Sequence, residues 1–378
     1  MKTRLGLFRR RAGHHWTPIV AAAVTGVVAL TGTAWAEPAT VKPVGRHDLR
    51  VMTRNVYLGA DLASALTARD TPALLTAVSK IFAGVRATDF AVRAEGLAAE
   101  IERESPDLIG LQEVTTWTTA GPGAGPSQDF LAILRSALAR RGLHYTVAST
   151  SPGFDVGPIP LTAPCASPTV GACTLRLRDS DVVLANDRTP GLRWSTPKNG
   201  LYQARLSVPL PAPGVPPVQL VHGWASVEAK HHGVPFRFVT THLETAQFPA
   251  VQGAQATEFL AGPAAGPGTV IAAGDFNSAA DGSSTDTYRL LTGRFRDAWS
   301  EASPHGPGYT CCQSADLNGA ATQLTSRIDL VLLGGAARAE SARVVGAEPF
   351  RAAAPRYTSD HAGVTVTVGW RHPAGPKK

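Results

Sequence analysis

The sequence predicts an α/β protein in which two packed sheets are covered by helices. Three observations carry that prediction. Short apolar, β-prone runs recur along the chain, Ala/Leu/Glu/Arg-rich stretches with helical spacing sit towards both ends, and hairpin-like strand pairs lie between them. No repeat of fixed period is present, and 378 residues with 44% hydrophobic content can bury a sizeable core. One domain, about 48–370, is the simplest division.

In order along the chain, LRVMTRNVYL near 49–58 alternates as a strand, 63–103 reads as mostly helical, and PDLIGLQEV over 106–114 is a strand opened by proline. The loop GPGAGPS leads to a helix over 129–141, the strand HYTVAST, and a long irregular, proline-rich section over 151–172. Strands follow at TLRLR, DVVLA, LYQARLSV, VQLVHGWASVEA and PFRFVTTHLE, with His231-His232-Gly233 as the turn between the last two. AVQGAQATEFLAG is a helix, TVIAAGDFN opens as a strand, and DGSSTDTY reads as a loop with an N-cap for a further helix. SRIDLVLL, SARVVGA and GVTVTVGW are strands.

Residues 1–36 have the layout of a secretory signal peptide: a basic start, an apolar run from Ile19 to Leu30, and a small-residue end at Ala34-Trp35-Ala36. The expectation is an exported, extracellular protein that begins at Glu37, with 37–47 as a linker and 371–378 as a basic tail. The leader carries Lys2, Arg4 and Arg9 to Arg11 and no acid, so the formal charge of +7 falls to 31 basic against 29 acidic residues. A near-neutral body lends no support to a basic nucleic-acid face. The cysteines Cys165, Cys173, Cys311 and Cys312 suit an oxidising compartment, and their spacing lacks the pattern of a zinc site. A Cys165–Cys173 bridge would tie the insertion 151–172; Cys311-Cys312 form either a vicinal bridge or separate pairs.

Polar residues interrupt the apolar strands at their ends: Asn55, Glu113, His242, Asp275 with Asn277, Asp329, and Asp360-His361. A carboxylate in an apolar strand costs several kcal/mol unless it finds a partner, and repeating it favours a shared one. Hard oxygen donors suit Mg²⁺, with Mn²⁺ or Ca²⁺ as alternatives, and a metal of that kind implies a phosphate substrate. Period-two alternation places Asp275 and Asn277 on one side with Phe276 turned into the core, and Gly274 lets the backbone turn close to the phosphate.

The series TRNVYLG, IGLQEV, TTHLE, AAGDFNS, SRIDLVLL and SDHAGV resembles the endonuclease/exonuclease/phosphatase superfamily over about 49–368, in the family's order. That superfamily includes deoxyribonuclease I, apurinic endonucleases, inositol polyphosphate 5-phosphatases and bacterial sphingomyelinases. The resemblance implies a deoxyribonuclease I-like four-layer α/β/β/α sandwich of two mainly antiparallel sheets; a monomer with no obligate protein partner is expected. It also implies Glu113, Asn55 and Asp360 as metal-site residues and Asp275 as the group that positions or deprotonates water. Asn277 and His242 are implied phosphate contacts, and His361, oriented by Asp329, the catalytic histidine. The implied reaction is metal-dependent, in-line attack of water on a phosphodiester.

Nucleic acid leads among expected substrates, with a lipid headgroup or small phosphoester as the alternative and a silent binding protein as a remote one. The stretch DSDVVLANDRTPG departs from the Ser-Arg or Ser-Lys strand end of the repair enzymes, with Asn186 the residue that would substitute there. Glu244 is read evenly as a helix-start acid or as a holder of His242, and Asp329 has a bland alternative in pairing with Arg327 or Arg294.

Overall fold

The strand Leu49–Asn55 is almost wholly buried and lies between a parallel partner, Leu108–Gln112, and an antiparallel one, Gly363–Trp370. A strand covered on both faces tends to read as an apolar run, as LIGLQ does; LRVMTRN alternates instead, and its buried Arg54 and Asn55 are paired with Glu100 and Glu113. A computed structural model describes residues 48–161, 173–211 and 217–370; the expected leader, linker and tail, Cys165 and the 162–172 part of the insertion lie outside the described residues. The first sheet runs Ala337–Val345, Gly363–Trp370, Leu49–Asn55, Leu108–Gln112, Thr174–Asn186, Thr116–Ala120 and Gln128–Asp129, with Tyr145–Pro160 also paired to Thr174–Asn186. The second runs Arg296–Asp297, Asp329–Leu333, Val270–Asp275, Val234–Thr241, Gly223–His231 and Leu192–Leu201.

One apolar layer, including Val51, Val183, Phe238, Ile271 and Val366, lies between the sheets. A second packs Leu97, Ile101 and Leu134 of the helices against the first sheet, and a third packs Ala256 and Phe259 against Ala272 and Leu332 of the second. The architecture is helix, sheet, sheet, helix. Gly110 sits where the sheets come closest: a Cβ there would lie 2.5 Å from Thr240 Oγ1 and 2.7 Å from the Ala273 carbonyl.

Several boundaries differ from expectation. The 63–103 segment divides into Ala63–Leu66, Thr71–Ala87 and Phe90–Glu104, because Asp70 and Asp89 each accept a hydrogen bond from a helix N-terminal amide (Ala73 and Val92) and restart the helix. The section from 151 is not irregular at its start: Tyr145–Pro160 continues as one strand, with register shifts near Ser149, Asp155 and Ile159 that accommodate its Gly and Pro residues. TLRLR and DVVLA are one strand, Thr174–Asn186, whereas LYQARLSV is divided between strands ending at Leu201 and starting at Leu206. His232 and Gly233, at φ 46° and 85°, form the expected hairpin turn. Among the described residues no helix is long and apolar enough to cross a membrane.

Arg93 is fully buried beneath the site. Its guanidinium donates to the carbonyls of Thr88 (2.9 Å), Val56 (2.6 Å), Tyr57 (3.1 Å) and Thr358 (3.0 Å) and lies 4.8 Å from the Phe90 ring centre. Burial draws its pKa down to about 10, still charged at neutral pH. Arg93→Met leaves those carbonyls without donors, so a loss of about 3–5 kcal/mol in unfolding free energy is expected in urea denaturation. A loss under about 1 kcal/mol would show that water replaces the guanidinium.

Candidate active site

The parallel strands Leu49–Asn55 and Leu108–Gln112 of one sheet, and Val234–Thr241 and Val270–Asp275 of the other, all finish at one rim. Antiparallel Asp329–Leu333 and Gly363–Trp370 begin at that rim. This topology gathers every expected site residue, although they are dispersed from 55 to 361. Asp275 and Asp329 are direct cross-strand partners, an arrangement that like charges disfavour. His361 relieves it: its Nδ1 lies 2.8 Å from Asp329 Oδ2 and 3.7 Å from Asp275 Oδ2. Burial opposes the imidazolium, but Asp329, Asp275 and Asp360 together outweigh it and hold the His361 pKa well above its usual value. Asp329 therefore orients His361 as expected; Arg327 instead pairs with Asp297 at 2.7 Å, and Arg294 donates to loop carbonyls.

Tyr57, Glu113 and Asn277 all have left-handed backbones, at φ 60°, 57° and 50°. Non-glycine residues there cost roughly 1–3 kcal/mol each, and such strain collects at functional sites. Glu113 lies just past its strand, where the reversed φ turns its carboxylate to accept from Leu58 N (2.8 Å) and Asn55 Nδ2 (2.9 Å). Asn55 Nδ2 also reaches Asp275 Oδ2 (3.1 Å), while its Oδ1 accepts from Tyr57 N (2.9 Å). Asn55 is thus a strut between two carboxylates, with its oxygen engaged by the backbone.

Phe276 turns into the core against Phe259, as expected. Asn277 does not follow from strand alternation, because the strand stops at Asp275 and a left-handed turn brings the amide back. Asp275 Oδ1 accepts from Asn277 N at 2.9 Å and closes that turn. Gly274 does not turn; it is within the strand, where a Cβ would lie 2.3 Å from the Thr241 carbonyl. Asn277 Nδ2 lies 2.9 Å from the Leu243 carbonyl and 3.0 Å from His242 Nε2. An amide NH₂ shared between a carbonyl and a ring nitrogen donates to both, which makes Nε2 the acceptor and puts the ring proton on Nδ1. Burial, then His222 and His361, keep His242 neutral.

Three further ionisable groups, Asp179, Asp181 and His222, are not among the residues expected at the site. The Asp-Ser-Asp at 179–181 comes beside Glu113, since Val114 N donates to the Ser180 carbonyl (3.0 Å) and Ser180 Oγ to the Val114 carbonyl (2.7 Å). Asn186 lies at the other end of that strand, opposite the start of Leu108–Gln112, and is not at the site. Burial, then Glu113, raises the Asp179 pKa to about 7, and burial, Asp179 and Asp275 push Asp181 up as well. His222 lies 3.6 Å from Glu244 and edge-on to His242, with ring centres 4.7 Å apart. Burial opposes its charge, but Glu244, Asp179 and Asp275 raise its pKa. Glu244 therefore serves His222, and neither expected role. The signal for Asp179 and Asp181 was present, as two acids opening an apolar strand run; His222 had none. Ser359 also gains a role: its Oγ donates to the Asn55 carbonyl (2.8 Å) and accepts from His361 N (3.1 Å).

The Cys311 and Cys312 sulfurs are placed against each other, and both residues line the cleft beside His361. The cleft, of about 450 Å³, is also lined by Tyr57, Glu113, His222, His242, Asp275, Asn277 and Asp360. Asp360 is pushed up to about 7 by burial, with His361 pulling it down and Glu113 pushing it up.

The donors suit a divalent cation. Buried Asp179 Oδ1, Asp181 Oδ1, Asp329 Oδ1 and Glu244 Oε2 have no hydrogen-bond partner, and among the described residues no lysine or arginine lines the cleft. Asp275, Asp329 and His361 bring their ligand atoms within 4.8 Å of one another. The Asp329–His361 hydrogen bond occupies the ring nitrogen of that trio. Glu113 and Asp360, with hard oxygens facing the cleft, are the better-suited holders.

The family model of the Endonuclease/Exonuclease/phosphatase family matches residues 52–361, and the chain belongs to that family. Its members are hydrolases of phosphoester bonds and depend on divalent metal. Among solved structures, an endonuclease/exonuclease/phosphatase from Beutenbergia cavernae is similar at 20% identity, with 86% of this chain and 72% of that one covered and a TM-score of 0.52. A Bacteroides thetaiotaomicron family protein is similar at 16% identity, covering 85% and 97%, with a TM-score of 0.50. These likenesses show the deoxyribonuclease I-like fold. No curated protein matches the chain by sequence.

Proposed function

We propose that the chain is a divalent-metal-dependent phosphodiesterase that hydrolyses its substrate by in-line attack of water. The observation that carries this reading is the convergence of Asp275, Asp329-oriented His361, Glu113 and Asp360 on one cleft. Asp275 takes a proton from water as the water oxygen bonds to phosphorus, the opposite P–O bond breaks, and the departing oxygen takes a proton from solvent water and leaves as an alcohol. His361, kept protonated by Asp329, faces the charge that builds on the phosphoryl oxygens. His222 lines the same wall, while the Asn277 amide is engaged by Leu243 and His242. Glu113 and Asp360 would hold a divalent cation, which would supply Lewis-acid neutralisation of that charge.

The lining weighs on substrate. A polynucleotide is held chiefly through phosphate contacts from Lys and Arg, which, among the described residues, this cleft wall does not offer. Leu58, Leu62, Leu66, Phe154, Leu220 and Phe248 supply an apolar wall instead. A small or apolar phosphodiester therefore leads, ahead of nucleic acid. Hydrolysis of bis(p-nitrophenyl) phosphate, sphingomyelin and plasmid DNA in Mg²⁺ checks this, and a preference for DNA would reverse the order.

Chelation with EDTA is expected to remove activity and Mg²⁺ to restore it, and Glu113→Gln to raise the metal concentration for half-maximal rate by about 10–100-fold. Activity indifferent to EDTA would remove the metal from the mechanism. The basic, apolar and small-residue order ahead of Glu37 supports an exported enzyme. N-terminal sequencing of protein from the culture medium would find Glu37 first; an intact Met1 would count against export.

A further inference from the structure

Beside the phosphoryl centre lies a second, narrower cavity of about 80 Å³ between the Ala63–Leu66 and Thr71–Ala87 helices and the Tyr145–Pro160/Thr174–Asn186 hairpin. Its walls are Leu, Val, Ile, Ala, Phe and Trp side chains. The one polar group among those side chains, the Trp117 indole N–H, is already donated to the Leu58 carbonyl at 2.9 Å. Leu62, Leu66, Phe154 and Leu220 line both this cavity and the catalytic cleft. Leu66 stands 37% exposed where they join, one of few large apolar side chains among the described residues left so open.

We propose that this groove is an acyl- or alkyl-chain subsite: it takes the hydrocarbon part of a phosphoester whose phosphate lies at His361 and Asp275. The inference rests on the phosphoester-hydrolase reading above and adds the chemistry of the substrate's other end. Two features favour a substrate chain over another occupant. The groove is continuous with the place where the phosphate must sit, through shared side chains. Among the described residues, neither lining carries a lysine or arginine that would draw in a polyanion. An apolar, polar-group-free cavity also binds hydrocarbon in preference to water. The acidic, metal-suited cleft and the groove beside it thus match an amphiphile with a phosphoester head and an apolar tail.

The test separates binding from turnover. Affinity of the full chain for octylphosphonate and methylphosphonate, neither of which has an ester bond to hydrolyse, is measured by calorimetry in Mg²⁺. Each methylene buried strengthens binding by about fourfold, so burying even two gives octylphosphonate an advantage above about tenfold, with a more negative heat capacity of binding. Ile159→Glu places a charge in the groove away from the reacting centre, and should return the octyl-to-methyl ratio towards one in a protein whose thermal unfolding is unchanged. Leu66→Glu, at the exposed mouth, is a second variant expected to lower the same ratio. Equal affinities in the unsubstituted protein overturn the subsite, including the case in which the chain's own segments seal it; so does an octyl preference that survives Ile159→Glu. Chain-length-dependent binding in a protein that hydrolyses no phosphoester leaves the subsite standing and removes the hydrolase reading, whereas hydrolysis without chain-length dependence does the reverse.

Discussion

Asp275→Asn is expected to lower kcat by about 10³-fold on any substrate the enzyme accepts. The change keeps the size of the side chain, and its one remaining oxygen can accept from either Asn55 Nδ2 or Asn277 N. What goes is the acceptor for the water proton, and general-base groups of this kind contribute about 10²–10⁴-fold. Steady-state kinetics at saturating metal measures the effect. A fall of less than tenfold would mean that another carboxylate, Asp181 or Asp360, takes the proton. Asp275→Ala removes the acceptor and also frees Asn55 and the Asn277 amide, so it should lose more activity and some stability.

His361→Ala is expected to cost about 10²–10³-fold in kcat, the range of losing one preorganised donor to a developing oxyanion. Asp329→Asn tests whether the pair acts as a unit. The asparagine can still touch Nδ1, yet it no longer favours the imidazolium, so its loss should approach that of His361→Ala. The double substitution should then fall little below the worse single one, since groups acting through one another are not additive. Losses that multiply would show that Asp329 and His361 work independently, against their 2.8 Å hydrogen bond. Circular dichroism of each variant separates chemistry from folding, because Asp329 also faces Asp275 across the strand pair.

Much of this site was legible from the chain alone, for a physical reason. A polar residue at the end of an apolar strand is conspicuous, and Asn55, Glu113, His242, Asp275, Asp329 and Asp360-His361 all stand out in that way. The two sheets followed from the same runs. Illegible were features fixed by register and backbone sign. Whether Asp179 or Asn186 reaches the site depends on which end of Thr174–Asn186 meets Glu113, and that is set by pairing with a strand some 70 residues earlier. Asn277 reaches the site through a left-handed turn, which period-two reasoning does not anticipate. His222 lies just before a strand and meets Glu244 because the strands they flank pair at that end, Trp224 opposite Thr241. The helix breaks at Asp70 and Asp89 were visible as capping residues, but helical composition on both sides masked them.

Ser359, clasping the carbonyl of Asn55 and the amide of His361, joins two ends of the chain more than 300 residues apart. Its consequence is one of timing. As the chain is made from its amino end, Asn55, Glu113 and even Asp275 are present long before the Ser359-Asp360-His361 segment that completes the centre. A nascent or truncated chain can hold most of both sheets and still lack the imidazole. Assembly of the reacting centre is therefore deferred to the last strand, which leaves the unfinished polypeptide without hydrolytic chemistry while it is being synthesised.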